Sequence, residues 1–233
     1  MLVILLNFCI GSAQEISGTQ LLDKSIAYHD EKGNWKNFKG KLTITMSTPN
    51  SSDRHSVLLM NLPAQYFKSI VVKDGQTITS TLEKDSCSLK LNGSTDIKQV
   101  YRDSLRITCE RAKMMKDYYT YLYGLPMKLK DSGTQIDSKV QKKNFKCKQY
   151  LVLKVNYDES VGNDTWYFYF NPKTYAMEIY QFYHDESKND GEYILLSESM
   201  ELGGIKMPKT RAWYYNKDDK YLGTDSLTKL EKL

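Results

Sequence analysis

The stretch that decides the fold begins at Asp164 and reads DTWYFYFNPKTYAMEIYQFY. Its first half alternates with a period of two, which is the period of side chains along a β-strand. Trp166, Phe168 and Phe170 therefore share one face of a predicted strand, and Tyr167 and Tyr169 share the other. Both faces of this strand carry large aromatic surface, so we expect it to lie well inside a sheet.

The second half of the same stretch predicts the return strand of a hairpin. Asn171-Pro172-Lys173-Thr174 has the composition of a turn. After it, Met177 and Ile179 alternate with Glu178 and Tyr180. The two strands together indicate an antiparallel sheet with an apolar concave face and a Tyr-rich convex face.

Strand-like segments recur on both sides of this hairpin, separated by turn signals such as Asp74-Gly75 and Asn92-Gly93. We predict eleven to twelve strands, among them Leu42–Met46, Val57–Leu62, Tyr66–Lys73, Thr77–Glu83, Ser86–Leu91, Lys139–Phe145, Gln149–Tyr157, Glu192–Met200, Ile205–Asn216 and Tyr221–Leu227.

Two segments have helical spacing instead. Ser17–Asp30 starts with a Ser17-x-x-Gln20 capping box, and Cys109–Tyr123 is a helical insert that ends before Gly124-Leu125-Pro126. A shorter helix is expected over Asp96–Leu105. These elements predict a mainly β, α+β fold: a large curved antiparallel sheet, or unclosed β-barrel, whose concave face is covered by the N-terminal helix and the insert.

The concave face is the candidate ligand site, because helices lying on a curved sheet can leave an apolar cavity between the two layers. Methionines on the insert would adapt to a flexible ligand. The alternative is a face that simply packs against the helices as a filled core. The candidate ligand-binding residues are Ile44, Met46, Leu59, Met114, Met115, Tyr118, Trp166, Phe168, Phe170, Met177 and Ile179.

The N-terminus predicts export. Residues 1–10 (MLVILLNFCI) are apolar apart from Asn7 and run into small residues, as in a signal peptide, although a basic n-region is missing. We therefore expect residues 1–13 to be a cleaved signal and residues 14–233 to form a single domain in the periplasm or cell envelope. A buried first strand is the alternative. No apolar stretch is long enough to span a bilayer as a helix.

Export to an oxidising compartment also bears on the cysteines. Cys9 would leave with the signal, and Cys87, Cys109 and Cys147 would remain. A disulfide between Cys87 and Cys109 would close a loop of about two dozen residues. Three free buried thiols are the alternative, because one sequence does not fix the pairing.

The remaining composition excludes several function classes. The net charge of +5 comes from interleaved basic and acidic residues, so nucleic acid is not an expected partner. Nucleotide-binding, metalloprotease and hydrolase-elbow motifs are absent, and the three histidines have no partner at metal-ligand spacing. We predict no catalytic residues, metal or cofactor, and a monomer.

Four segments carry a family resemblance: YYTYLYGLPMKLKD (from Tyr118), WYFYFNPKTYAMEIYQF (from Trp166), GEYILL (from Gly191) and GIKMPKTRAWYYNKDDKYLGTD (from Gly204). They resemble an uncharacterised family of exported bacterial proteins, a domain of unknown function. The order of elements looks like the LolA/LolB lipoprotein carriers, whose fold is an unclosed antiparallel barrel with a helical lid.

This resemblance implies a non-enzymatic envelope protein that binds a lipid or a lipoprotein acyl chain. Two alternatives stay open. One is an exported hydrolase of glycans or esters, since Trp213, Tyr214 and Tyr215 could stack on sugars. The other is a β-scaffold that binds another envelope protein through exposed Tyr residues.

Overall fold

The computed structural model describes residues 15–233, so the predicted signal segment 1–13 lies outside the described residues. The described residues form three α-helices: α1 (Gly18–His29), α2 (Gln99–Ser104) and α3 (Cys109–Gly124). Short 3-10 helices cover Trp35–Asn37, Met127–Lys130 and Glu186–Lys188. Within residues 15–233, no helix is both long and apolar enough to cross a membrane.

Thirteen strands form one antiparallel sheet in the described chain. They are β1 (Lys39–Thr48), β2 (Ser51–Asn61), β3 (Tyr66–Lys73), β4 (Gln76–Glu83), β5 (Ser86–Leu91), β6 (Thr134–Ile136), β7 (Gln141–Phe145), β8 (Lys148–Tyr157), β9 (Thr165–Phe170), β10 (Met177–Tyr183), β11 (Glu192–Leu202), β12 (Ile205–Tyr215) and β13 (Tyr221–Lys232). The mainly β fold with a large unclosed sheet is confirmed. The unforeseen strand is β6, which at three residues is too short to show a period.

The strand order explains why the sheet stays open. It runs β5-β4-β3-β2-β1-β13-β12-β11-β10-β9-β8-β6, and β7 pairs with the other half of β8. The two ends of the sheet, β5 on one side and β6 with β7 on the other, share no ladder within the described residues. The C-terminal strand β13 pairs with β1 and so closes the middle of the sheet rather than its edges.

Helices α1 and α3 pack on one face of the sheet, which we call the inner face. The α1 helix begins with the expected capping box. The Gln20 amide donates a hydrogen bond to the Ser17 side chain, and the Ser17 amide donates one to the Gln20 side chain. Leu21 and Leu22 of α1 are fully buried, and so are Leu42, Leu58 and Phe168 on the sheet. The main core therefore lies between the helices and the inner face.

A β-bulge in β10 changes which residues reach this core. The register shifts between Met177 and Ile179, so that Met177 lies opposite Phe170 whereas Ile179 lies opposite Tyr169. Because directly opposed residues share a face, Met177 is on the inner face and Ile179 on the outer face. The prediction that both face the helices is wrong for Ile179, since one extra residue reverses the alternation.

The prediction is wrong for Leu59 as well. Leu58 and Met60 are fully buried on the inner face, and Leu59 between them pairs with Lys41 and Lys68 on the outer face. Four apolar residues in a row, Val57 to Met60, give no alternation from which to assign the face. Leu58 pairs with Leu42 of the neighbouring strand, and this pairing places Leu58 on the inner face and Leu59 on the outer face.

The outer face has a small core of its own. Tyr150, Val152, Tyr167, Tyr169 and Ile179 are buried there. The ring of Phe145, at the end of β7, contacts Tyr169 and Tyr193 with centroids 5.5 and 5.1 Å away. The Lys143 ammonium lies 4.0 Å from the centroid of the Tyr167 ring. These tyrosines are thus covered by the chain's own β7 hairpin and are not an exposed surface.

Cys87 of β5 and Cys109 at the start of α3 form a disulfide, with Cα atoms 6.0 Å apart. Thr108 caps α3, because its side-chain oxygen accepts a hydrogen bond from the Arg111 amide. Cys147 is exposed and lies outside this bond. The disulfide therefore ties the helix to the edge strand of the open sheet.

Candidate functional site

A cavity of about 800 Å³ lies between α3 and the two ends of the open sheet. One wall comes from α3, the opposite wall from β2, β3 and β4, and the end from the segments around β6 and β8. The lining residues are Met60, Asn61, Leu62, Gln65, Tyr66, Phe67, Leu82, Lys84, Lys113, Lys116, Asp117, Tyr118, Thr120, Tyr121, Lys128, Asp131, Ser132, Thr134, Tyr157 and Val161.

The deep part of this cavity is apolar and aromatic. Met60, Phe67 and Leu82 point inward from three adjacent strands and are almost completely buried. Tyr118 and Tyr121 face them from the helix and pack against the main core. A volume of this size lies within the range of about 300–1,000 Å³ that is typical of ligand pockets.

Tyr121 and Tyr157 join the helix to β8 at the cavity wall. Their hydroxyl oxygens are 2.6 Å apart, and the Tyr121 ring also meets Trp166 edge-on at 6.0 Å between centroids. Burial raises the pKa of Tyr157 to about 12. Burial also raises the pKa of Tyr118 and Tyr121. These phenols remain neutral at physiological pH and present no negative charge to the cavity.

The rim of the cavity carries the charges: four lysines and two aspartates. Asp117 pairs with Lys116 at 3.1 Å, and Asp131 pairs with Lys128. Lys84 and Lys113 make no ion pair within 4.0 Å of any carboxylate in the described chain. The lining therefore combines an apolar interior with an unbalanced positive rim.

A second polar feature lies under α3, on the inner face of the sheet. Arg211 of β12 is 1% exposed and donates from Nη2 to the Leu122 carbonyl of the helix at 3.1 Å. Its guanidinium also lies 4.1 Å from the centroid of the Tyr123 ring. Asp225, which pairs with Arg211 across β12 and β13, is buried, and burial raises its pKa. Arg211 thus fastens the last turn of α3 to the sheet.

The structure distributes the predicted ligand-binding residues over several different environments. Ile44, Phe168, Phe170 and Met177 are buried in the filled core, and Met115 and Trp166 pack against it. Met46 lies beside Arg54, whose Nη2 is 3.3 Å from its sulfur. Ile179 and Leu59 are on the outer face, as described above. Tyr118 is the one member of the set that lines the cavity.

Met114 is a further correction, because 47% of it is exposed. It lies on the side of α3 that faces solvent, where Arg111 contacts its sulfur at 3.7 Å. Met115, one residue on, is turned by about 100° around the helix and reaches the core. Adjacent methionines on one helix therefore do not share a face.

Sequence reasoning missed most of the cavity wall. A signal was present on α3, where Lys113, Asp117 and Tyr121 recur every four residues and so share one face of the helix. No comparable signal marks Leu82, Lys84 and Tyr157, which come from distant parts of the chain. Only the fold brings these three residues to the same cavity.

Among the residues that line the cavity, two are acidic, Asp117 and Asp131, and none is His or Cys. Within residues 15–233, no group of three or more His, Cys, Asp or Glu residues is placed to hold a metal ion. The two carboxylates at the cavity rim are each engaged by a neighbouring lysine.

Solved structures of three other proteins are similar to this fold. A protein described as an outer membrane lipoprotein-sorting domain, from Vibrio parahaemolyticus, has a TM-score of 0.53 at 11% identity over 92% of each chain. A LolA superfamily protein from Nitrosomonas europaea has a TM-score of 0.51 at 10% identity over 94% of each chain. A DUF1329 family protein from Desulfovibrio piger has a TM-score of 0.51 at 8% identity, again over 94% of each chain. At these identities the likeness concerns the fold, which is LolA-like.

None of the curated proteins compared with the chain matches it. One family model does, over residues 1–230, and its description is "Family of unknown function". Because the match spans nearly the whole chain, the protein belongs to the DUF6503 family.

Proposed function

We propose that this is an exported envelope protein that binds the acyl chain of a lipid or lipoprotein in the cavity beside α3. The observation that carries the proposal is the cavity itself, whose interior is built from Met60, Phe67, Leu82 and the tyrosines of α3. The LolA-like fold is consistent with it, because one protein of that fold is described as a lipoprotein-sorting domain.

The arrangement of the cavity favours a long apolar ligand over a compact polar one. Transfer of each buried methylene from water contributes about 0.8 kcal/mol, so a chain of many methylenes gains most from such a wall. The hydroxyls of Tyr121 and Tyr157 are already engaged with each other. They therefore do not supply the dense set of hydrogen bonds that a sugar would need.

This location differs from the one expected from the sequence. The sheet residues at the centre of the inner face, such as Phe168 and Phe170, contact the helices and leave no room for a ligand. The proposed site lies instead where the sheet fails to close, with α3 as one wall. Of the residues predicted from the sequence to bind the ligand, Tyr118 lines this cavity.

The experiment is a binding titration of the delipidated full-length protein with a fluorescent fatty acid, together with native mass spectrometry of protein purified from the envelope. Thr120→Trp adds a large side chain to the cavity wall, and we expect it to weaken binding at least tenfold. Met114→Trp adds the same bulk to the exposed side of α3 and serves as the matched control. Near-UV circular dichroism checks that both variants are folded.

Two results would contradict the proposal. One is a protein that carries no lipid from the envelope and binds no fatty acid after delipidation. The other is equal binding by the Thr120→Trp and Met114→Trp variants, which would place the ligand elsewhere.

A further inference from the structure

The rim of the cavity carries a net positive charge, because four lysines and two aspartates are among its lining residues. Of its four lysines, Lys116 and Lys128 are each held by an aspartate of the same rim. Lys84 and Lys113 have no carboxylate within 4.0 Å in the described chain, and both are exposed. Two ammonium groups are thus available at the entrance to an apolar cavity.

The fold holds these two lysines on linked segments. Lys84 lies in the turn between β4 and β5, where its backbone amide donates to the Gln65 carbonyl at 3.0 Å. Cys87 follows three residues later and is bonded to Cys109. Lys113 is four residues beyond Cys109, one helical turn along the same face of α3. The disulfide therefore joins the two segments that carry the free lysines.

Below this pair the wall is apolar. Leu82, two residues before Lys84, is buried, and Phe67 lies directly opposite it on β3. Tyr118 faces them from α3, five residues after Lys113. Lysine stems can lie along apolar surface while the charged end stays in water. The cavity therefore changes from cationic at its rim to apolar inside.

We infer that the ligand is an anionic amphiphile, with its head group between Lys84 and Lys113 and its chain against Phe67, Leu82 and Tyr118. This inference rests on the proposed function and specifies its ligand class. A carboxylate or phosphate head accepts charge-assisted hydrogen bonds from both ammonium groups. A neutral head of the same size gains no such contact.

The test compares oleate with oleyl alcohol, which share a chain and differ in the charge of the head. Both are titrated against the full-length delipidated protein by calorimetry at low salt. Since exposed ion pairs contribute modestly, we expect oleate to bind wild type about five- to tenfold more tightly than oleyl alcohol. The preference should shrink in high salt, because screening weakens exposed charge pairs.

The variant that decides is Lys84→Gln/Lys113→Gln, in which the preference for oleate should vanish while oleyl alcohol binds as before. The matched control is Lys142→Gln/Lys173→Gln, which removes two exposed lysines outside the cavity and should keep the preference. Acetate tests the head group without a chain, and we expect it not to compete with oleate at equal concentration.

The remaining outcomes distinguish a failure of this inference from a failure of the proposed function. Equal affinity for oleate and oleyl alcohol, or a preference that persists in the cavity variant, overturns the anionic head group and leaves acyl binding intact. Competition by acetate as strong as that of oleate indicates a simple anion site and also overturns it. Failure of both long-chain ligands to bind overturns the proposed function together with the inference.

Discussion

The hydroxyl oxygens of Tyr121 on α3 and Tyr157 on β8 lie 2.6 Å apart, which makes them a direct hydrogen-bonded link between the helical layer and one end of the open sheet. The opposite end of the sheet is linked to the same helix by the Cys87–Cys109 disulfide. The α3 helix is thus fixed to both sides of the opening, with the cavity beside it.

A double-mutant cycle on the tyrosine pair tests this link. Tyr157→Phe leaves the buried Tyr121 hydroxyl without its partner, and we expect the free energy of unfolding to fall by about 1–3 kcal/mol. Tyr121→Phe/Tyr157→Phe removes both hydroxyls and should cost less than the sum of the single changes. Urea unfolding measures all three variants. Strict additivity would mean that the two hydroxyls do not interact.

The disulfide should contribute much of the stability of the α3 region. Cys87 and Cys109 are 22 residues apart in sequence, and the chain-entropy relation gives about 3 kcal/mol for a loop of this length. We therefore expect Cys87→Ser/Cys109→Ser to lower the free energy of unfolding by about this amount. Cys147→Ser, at the exposed cysteine, should stay within about 0.5 kcal/mol of wild type. An unchanged stability in the double variant would contradict the prediction.

His29 should make the protein less stable in acid. Its Nδ1–H donates to the Lys206 carbonyl at 2.8 Å, and its Nε2 accepts a hydrogen bond from the Met177 amide at 3.0 Å, so the second contact requires the neutral ring. Burial lowers the pKa of His29 to about 4. Because the unfolded chain keeps an ordinary histidine pKa near 6.5, it binds more protons in the window between these values. The free energy of unfolding should therefore fall by about 2 kcal/mol from pH 7 to pH 5.

The control for this pH dependence is the other histidine with a shifted pKa. His29→Gln should reduce the fall in the free energy of unfolding between pH 7 and pH 5. His184 is exposed, and its hydrogen bond to Asp164 raises its pKa, so it contributes stability at low pH instead. In His184→Gln, the free energy of unfolding should therefore fall at least as steeply with falling pH as it does in wild type. Equal slopes in wild type and His29→Gln would contradict the assignment.

Arg211 should be among the most sensitive positions of the fold. Arg211→Met removes the donor to the Leu122 carbonyl and leaves buried Asp225 with less positive charge nearby. A buried carbonyl left without its donor typically costs about 1–3 kcal/mol. Arg106→Met, at an exposed arginine, is the control and should stay near wild type. Thermal unfolding of the two variants provides the comparison, and similar midpoints would contradict the role of Arg211.

The sequence alone determined the local structure. Alternation with a period of two predicted nearly all strands, because successive side chains of a strand point to opposite faces. The Ser17 capping box predicted the start of α1, and helical spacing predicted α3, because both signals act within one or two turns of the chain.

Tertiary structure decided which faces are buried and where the cavity lies. The bulge between Met177 and Ile179 and the pairing of Leu58 with Leu42 reversed two assigned faces, because a one-residue change of register exchanges the two sides of a strand. Phe168 and Phe170 became filled core because helices distant in sequence pack on them. Lys84, Lys113 and Tyr157 meet at one cavity only because the sheet stops short of closing, and that property belongs to the complete strand order rather than to any one segment.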